Sequence, residues 1–271
     1  MTLSEIKEIL KRAGIEDYEY DARALYEHYS STDSHARLLF GEADVASPEL
    51  SEAVRRRVDH EPLQYILGTV GFYREEYIVS DAVLIPRQDT EHLVDYAVKS
   101  LPDGARFADI CTGSGCIGIS TLANTHGTTA VMVDVSPRAL EVAKMNAEKN
   151  GVATRIELVE LDIKTGFPMG KFDAILSNPP YVRDDVYEEL SSEVKCEPKI
   201  AFVGGEDGGD FYRIILPRAL SALKDGGFIA FEIGYDQAPL MPELRDKYDL
   251  TLEIIKDYSG LDRVAVFKRK N

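Results

Sequence analysis

Asp109-Ile110-Cys111-Thr112-Gly113-Ser114-Gly115-Cys116-Ile117-Gly118 reads as the end of a buried strand, a glycine turn and the opening of an apolar helix. Glycines at such a junction let backbone pass close to a ligand and aim free helix N–H groups at it. Many glycine-rich turns are only tight turns, so the surroundings decide. Here the strand Arg106–Ile110 leads in, and Asp134 ends the strand that follows. An acid in that place accepts hydrogen bonds from both hydroxyls of a ribose. Its bland alternative is a helix N-cap, which Ser136 can supply instead.

Working outward, strand and helix alternate from about Asp81, which predicts βαβ units and a parallel sheet. The expected strands are Arg106–Ile110, Ala130–Val135, Arg155–Glu160, Phe172–Leu176, Gly227–Ile233, Leu250–Lys256 and Arg263–Lys268, the last two forming a hairpin. Ser136-Pro137 opens a helix through Leu140, Ala143 and Ala147 that closes at Asn150-Gly151. Asp225-Gly226-Gly227 reads as a tight turn. Upstream, residues 1–70 read as a small helical bundle. Leu3, Ile6, Ile9, Leu10 and Ala13 recur at helical spacing after Ser4, and Ala22, Leu25, Tyr26 and Tyr29 form a second stripe. A third helix is expected over Ser34–Phe40 and a fourth after Ser47-Pro48. Residues 71–80, rich in aromatic and β-branched side chains around a charged turn, read as a β-hairpin linker to a catalytic domain over 81–271.

The strand Phe172–Leu176 runs into Asn178-Pro179-Pro180-Tyr181. Two prolines cannot continue a ladder, so Asn178 is presented beyond the carboxyl edge of the sheet, where ligands of open α/β sheets bind. An Asn beside a rigid Pro-Pro carbonyl and a Tyr face makes a small cage for a planar NH2 group. Ordinary Asn-Pro turn chemistry is the other reading.

The ligand of the glycine turn follows from Asp109. Gly113, Gly115 and Gly118 fit the dinucleotide spacing G-x-G-x-x-G, so spacing does not discriminate. A carboxylate aimed at the loop would repel a pyrophosphate but suits the ammonium of a methionine moiety. S-adenosylmethionine is therefore the expected cofactor, with Asp162 and Ile163 at its adenine and Asp109, Cys111, Thr112, Gly113, Ser114, Gly115, Asp134 and Asn178 around the rest.

The 271 residues carry 44% hydrophobic and 29% charged side chains, and the net charge of −16 lowers the expectation of nucleic acid while favouring a basic protein partner. Three cysteines without a C-x-x-C pair and scattered histidines indicate neither a disulfide frame nor a metal site. Cys111 and Cys116 read as small packing residues. No apolar run long enough to span a membrane occurs, and the start reads as an amphipathic segment rather than a signal peptide, so a cytoplasmic monomer is expected.

Asp109, the Cys-Thr-Gly-Ser-Gly turn, Asp134 and Asn178-Pro179-Pro180-Tyr181 together resemble the HemK/PrmC family of release-factor glutamine N5-methyltransferases. So do Glu61-Pro62-Leu63-Gln64-Tyr65-Ile66-Leu67-Gly68, Leu84-Ile85-Pro86-Arg87, Glu197-Pro198, Gly204-Gly205-Glu206-Asp207-Gly208, Glu232-Ile233-Gly234 and Asp257-Tyr258-Ser259-Gly260-Leu261-Asp262-Arg263. The seven strands match the class I, Rossmann-like methyltransferase sheet. The chain departs from the family in Gln88-Asp89, where Pro-Glu is usual, and in Gly209, where Leu is common. The resemblance implies methyl transfer to the side-chain amide of the Gln in the Gly-Gly-Gln motif of class I peptide chain release factors, recognised by the N-terminal domain. A ribosomal-protein glutamine methyltransferase and a DNA or RNA amino-methyltransferase are the alternatives; the latter needs a basic groove or a target-recognition domain, and neither is visible.

In that chemistry the Asn178 side-chain oxygen and the Pro179 carbonyl accept the two amide N–H groups, and Tyr181 packs on the amide plane. The Tyr181 ring also favours a nearby sulfonium by about 0.5–2 kcal/mol. Arg87 and Glu91 read either as a surface cap and dipole partner or as cofactor-site residues, and Glu197 as a wall of the substrate channel.

Overall fold

The computed structural model describes residues 1–30 and 47–270, so the helix expected over Ser34–Phe40 lies outside the described residues. The chain divides into two compact units, Met1–Thr69 with Ser191–Cys196, and Val70–Leu190 with the chain from Glu197 onward.

The smaller unit is helical: α1 (Leu3–Arg12), α2 (Tyr18–Tyr29), α3 (Pro48–Val58) and the short α4 (Leu63–Leu67). The cap of α1 is Thr2 rather than Ser4. Its hydroxyl accepts from Glu5 N at 3.2 Å while the Glu5 carboxylate accepts from Thr2 N at 2.8 Å, a reciprocal pair that satisfies two otherwise orphaned donors. Leu3, Ile6 and Leu10 are buried with Ala22, Leu25, Tyr26, Leu50 and Val54, whereas Ile9 turns outward, 38% exposed. Ser47 caps α3 through Leu50 N at 3.1 Å, with Pro48 in the first turn. The segment Ser191–Cys196 joins this unit through Arg57, a buried guanidinium that pairs with Asp21 at 2.7 Å and Glu193 at 3.0 Å. No local pattern announces that pairing, because the partners are far apart in the chain.

The larger unit begins with the hairpin β1 (Thr69–Phe72) and β2 (Glu75–Ile78), whose Phe72 and Tyr77 are buried in its core. It continues through α5 (Glu91–Ser100), β3 (Arg106–Ile110), α6 (Cys116–Ala123), β4 (Thr129–Asp134), α7 (Pro137–Lys149), β5 (Ile156–Glu160) and β6 (Phe172–Ser177). Then come α8 (Asp184–Glu189), α9 (Asp210–Ala222), β7 (Leu223–Glu232), α10 (Met241–Lys247), β8 (Leu250–Lys256) and β9 (Asp262–Arg269).

The seven-stranded sheet has the order β5-β4-β3-β6-β7-β9-β8. It is mixed rather than wholly parallel. Six strands run in one direction, and β9 enters antiparallel between β7 and β8. The short β8–β9 connection allows only antiparallel pairing, since a parallel partner needs a long crossover. The expected turn at Asp225-Gly226-Gly227 is a bulge inside β7: the partner of β6 jumps from Leu223 to Phe228 as Phe172 gives way to Ala174. Helices cover both faces. Phe107, Leu176 and Ala230 face Leu93, Ile119 and Ala143, and Ile110, Ile175 and Ile229 face Ile215, Leu216 and Leu244.

Strand order reverses at β3, with β4 on one side and β6 on the other. Ile110 is level with Val133 and with Ser177. The residues after those strands (Cys111, Asp134, Asn178) therefore emerge together at the switch point, where a crevice forms.

Candidate active site

Side chains alternate along β3, and Asp109 falls on the same face as Phe107, toward α6. Its carboxylate is fully buried beneath the glycine turn. Oδ2 accepts from Thr112 Oγ1 at 2.6 Å and from Gly118 N at 3.0 Å, while Oδ1 has no hydrogen-bond partner. Burial pushes the carboxyl up to about 7. Gly118 is required here, because a Cβ would stand 3.0 Å from Asp109 Oδ2. Asp109 thus holds the turn from below.

The turn itself takes left-handed backbone at Cys111 (φ 60), Gly113 (φ 54) and Gly115 (φ 84). Thr112 N donates to Val133 O at 2.9 Å, and Gly115 N to Thr112 O at 2.8 Å. Thr112, Ser114 and Gly115 are buried below the surface of the loop. Ser114 O accepts from Asn146 of α7 at 2.9 Å, and a Cβ on Gly115 would meet Ile119 at 2.8 Å and Met132 at 2.9 Å. Gly113 differs. A Cβ there would meet nothing within 4 Å, and its backbone forms part of the cavity wall.

The cavity lies over the carboxyl ends of β3, β4 and β6. Cys111, Gly113, Asp134, Asp162, Ile163, Asn178 and Pro180 line it, with apolar walls from Val83, Leu84, Ala139 and Phe211. Asp134 Oδ2 accepts from Gly113 N and Oδ1 from Ser136 N, both at 2.9 Å. Ser136 Oγ accepts from Ala139 N at 3.2 Å, so Ser136, and not Asp134, caps α7. Burial raises the Asp134 carboxyl above its ordinary value. Asp162 Oδ1 accepts from Lys164 N at 2.9 Å. Two carboxylates beyond adjacent strands, an open glycine backbone and apolar walls fit a ligand with hydroxyls, an exocyclic amine and a flat ring. They fit a polyphosphate poorly, because the carboxylates repel it.

At the end of β6, Asn178 and Pro180 face the cavity, Pro179 is buried, and Tyr181 sits half-buried against the core beside it. Asn178 Nδ2 donates to Thr90 Oγ1 at 3.3 Å. The Tyr181 hydroxyl donates to Glu232 Oε1 at 3.2 Å, and Tyr181 O accepts from Gln237 Nε2 at 2.7 Å. Gln237 Oε1 in turn accepts from Tyr212 and from Gly234 N, at 2.8 and 3.1 Å. Burial, together with the Glu232 carboxylate, raises the Tyr181 phenol far above its ordinary value, so it remains a donor.

Beneath the motif runs Val203-Gly204, bridged to Val182 through Val182 N to Phe202 O at 2.7 Å and Gly204 N to Val182 O at 2.8 Å. A Cβ on Gly204 would stand 2.6 Å from Pro180 O, and one on Gly208 2.2 Å from Tyr181 O. Thr90 and Gln237 contact the motif without being singled out by the sequence reading, and Glu232, Gly204 and Gly208 enter it only within segments that carry the family resemblance.

Arg87 and Glu91 take structural partners. Arg87 pairs with Glu197, whose other oxygen accepts from Ile85 N at 2.8 Å, and Glu91 accepts from Tyr73 N at 2.8 Å. Asp89, at one family departure, pairs with buried Arg263 at 3.1 Å, and Arg263 also binds Asp257 at 3.0 Å. Burial pushes the Cys111 thiol up strongly and the Cys116 thiol to about 12, leaving both protonated and unreactive near neutral pH.

Residues 2–68 match the PrmC N-terminal domain and residues 89–194 the Methyltransferase small domain. The release factor glutamine methyltransferase of Moorella thermoacetica is 37% identical over 239 residues, spanning 87% of this chain and 84% of that protein. The release factor glutamine methyltransferase of Caulobacter vibrioides is 36% identical over 271 residues, 96% of this chain and 92% of that protein. Among solved structures, the hMettl16 catalytic domain shares the fold at a TM-score of 0.59 and 17% identity, covering 86% of each chain. Matches over most of the chain to several relatives, on a class I methyltransferase sheet, assign the chain to the release factor glutamine methyltransferase family.

Proposed function

We propose that this enzyme methylates the side-chain amide nitrogen of the Gln in the Gly-Gly-Gln motif of class I peptide chain release factors, with S-adenosylmethionine as donor. The observation that carries the reading is the position of Asn178. It stands at the tip of β6 in the cavity wall, and its Nδ2 is committed to Thr90. The remaining side-chain group, Oδ1, is an acceptor.

An amide nitrogen is a weak nucleophile because its lone pair is delocalised into the carbonyl. Acceptors for its two N–H bonds turn that lone pair toward an approaching electrophile. Asn178 Oδ1 accepts one N–H and the Pro179 carbonyl the other, with the two prolines holding both acceptors still. When bound, the donor would supply an electrophilic methyl group and take the C–S bonding pair onto sulfur, and the methylated amide nitrogen then loses one proton to solvent. Asp134 would hold the ribose hydroxyls, Asp162 and Ile163 would hold the adenine, and the open backbone at Gly113 would leave room for the methionine portion. Asp109, Thr112, Ser114 and Gly115 serve the cofactor from below by fixing the turn. Alignment of this kind contributes roughly 7–11 kcal/mol in well-ordered systems.

The net charge of −16 favours a basic protein acceptor over a phosphate backbone. Among the described residues no helix is long and apolar enough to cross a membrane. The test is incubation with labelled S-adenosylmethionine and a purified class I release factor, beside duplex DNA and beside a factor whose motif Gln is replaced. Label is expected in the natural factor alone; label in DNA, or in none of the three, refutes the reading.

A further inference from the structure

We propose that Thr90 and Glu232 are positioning residues for methyl transfer: Thr90 sets which end of the Asn178 amide meets the substrate, and Glu232 anchors the Tyr181 hydroxyl beside it. This rests on the assignment of Asn178 as an acceptor for the substrate amide.

An Asn side chain can present either its oxygen or its NH2 group, and the two ends have almost the same shape. Only the oxygen can accept a substrate N–H. Within the protein, the choice is made by whatever the other end binds. Thr90, 2% exposed in the turn before α5, receives Asn178 Nδ2 on its Oγ1 at 3.3 Å. A hydroxyl that accepts on its oxygen must send its own proton elsewhere. The nearby acid is Glu232, 1% exposed, whose Oε1 takes the Tyr181 hydroxyl at 3.2 Å and whose buried Oε2 has no hydrogen-bond partner. In this assignment Thr90 turns its proton toward that open oxygen and offers Asn178 Nδ2 its own oxygen, which leaves the Asn178 oxygen facing the substrate.

Two further facts make this arrangement specific. The strand carrying Glu232 is a neighbour of the strand carrying Asn178, with Ser177 level with Phe231, so the acid and the motif leave the sheet side by side. Buried Arg263 stands near Glu232 but spends its guanidinium on Asp257 and Asp89, at 3.0 and 3.1 Å. Glu232 therefore keeps Oε1 for the Tyr181 hydroxyl and leaves Oε2 open toward Thr90. A buried acid with no place in the cavity wall is explained by the orientation it imposes on Tyr181 and Thr90.

The test is steady-state kinetics with release factor, together with calorimetric binding of S-adenosylmethionine, on wild type, Thr90→Val, Thr90→Ser, Asn178→Ala and the double variant Thr90→Val/Asn178→Ala. Val keeps the shape of Thr without the hydroxyl. Thr90→Val is expected to lower kcat by about 10-fold or more, the kinetic equivalent of one net hydrogen bond, with cofactor affinity unchanged. Thr90→Ser is expected to recover most of the rate. On the Asn178→Ala background, Thr90→Val is expected to cost nothing further, because its effect runs through Asn178. Glu232→Gln and Tyr181→Phe should be non-additive in the same way.

Wild-type kcat in Thr90→Val overturns the proposal, as do equal losses in Thr90→Ser and Thr90→Val, or full additivity in the double variant. If Thr90→Val does not fold, Thr90→Ala carries the same expectations. A wild-type enzyme that leaves release factor unlabelled would instead refute the substrate reading on which the proposal rests.

Discussion

At the scale of single residues, Asn178 and Asp134 divide the work, and substitutions separate them. Asn178→Ala removes one preorganised acceptor at the reacting nitrogen while leaving the cofactor's side of the cavity intact. Loss of one such group typically costs about 10²–10³ in rate, so kcat on release factor should fall by about 10²-fold or more, with calorimetric cofactor affinity preserved. Near-normal turnover would remove Asn178 from the mechanism. Asp134→Ala should do the reverse, weakening cofactor binding by about 10-fold, as expected for loss of roughly 1.4 kcal/mol of hydrogen bonding. Unchanged affinity in calorimetry would count against its contact with the ribose. Both residues stand out in the sequence, because a polar side chain at the end of an apolar strand is conspicuous. Thr90 and Gln237 do not stand out, and Glu232 does so only within a segment that carries the family resemblance. Their bonds to the motif span 88, 51 and 56 residues of chain, and nothing in the local pattern of any of them records the partner. Asp109 is conspicuous by type and position, and strand alternation turns it under the loop, where it holds Thr112 and Gly118.

At the scale of elements, the strands were readable because each is a short apolar run bounded by turn residues, and β3, β6 and β8 begin where the pattern begins. The start of β7 was misplaced because Asp225-Gly226-Gly227 has turn composition, and a bulge uses the same residues as a turn. The insertion of β9 between β7 and β8 was unreadable, since pairing order is decided by the sheet and not by the strand. Gly204 shows how an element far down the chain governs the motif. Its missing side chain lets Val203-Gly204 lie against Pro180, and a Cβ would come within 2.6 Å of the Pro180 carbonyl oxygen. Backbone has little freedom to give at a Pro-Pro step. Gly204→Ala is therefore expected to destabilise the protein by about 1–3 kcal/mol, as overpacking does, and to lower kcat beyond what the lost stability explains. Denaturant melts and turnover measured well below the melting range check both parts. A variant with wild-type stability and rate would show that the segment yields freely.

At the scale of the whole molecule, raised buried carboxyls shape the pH response, Asp109 and Glu232 alongside Asp134 and Asp21. Burial raises Asp109 and Glu232 to about 7 from ordinary values of 3.8 and 4.5. Between those limits the folded protein holds protons that the unfolded chain has released. Their contribution to stability is complete below the unfolded values and disappears as pH rises through about 7. Asp207, held down to about 2 by Arg213 and Gly209 N, titrates far below this window. The unfolding midpoint should therefore fall from about pH 5.5 to about pH 8, and Glu232→Gln, which keeps an acceptor but cannot titrate, should flatten that slope. An equal slope in the variant would remove Glu232 from the account. The change in periodicity near residue 70 was readable in the sequence. The return of Ser191–Cys196 to the helical unit was not, because it depends on the buried Arg57 meeting Glu193. Whether all of this serves an amide clamp is decided most directly by mass spectrometry of release factor after incubation with the enzyme and S-adenosylmethionine. One methyl group on the side-chain nitrogen of the Gly-Gly-Gln glutamine, absent with Asn178→Ala, is the predicted result. A methyl group on any other residue, or full modification by Asn178→Ala, would contradict it.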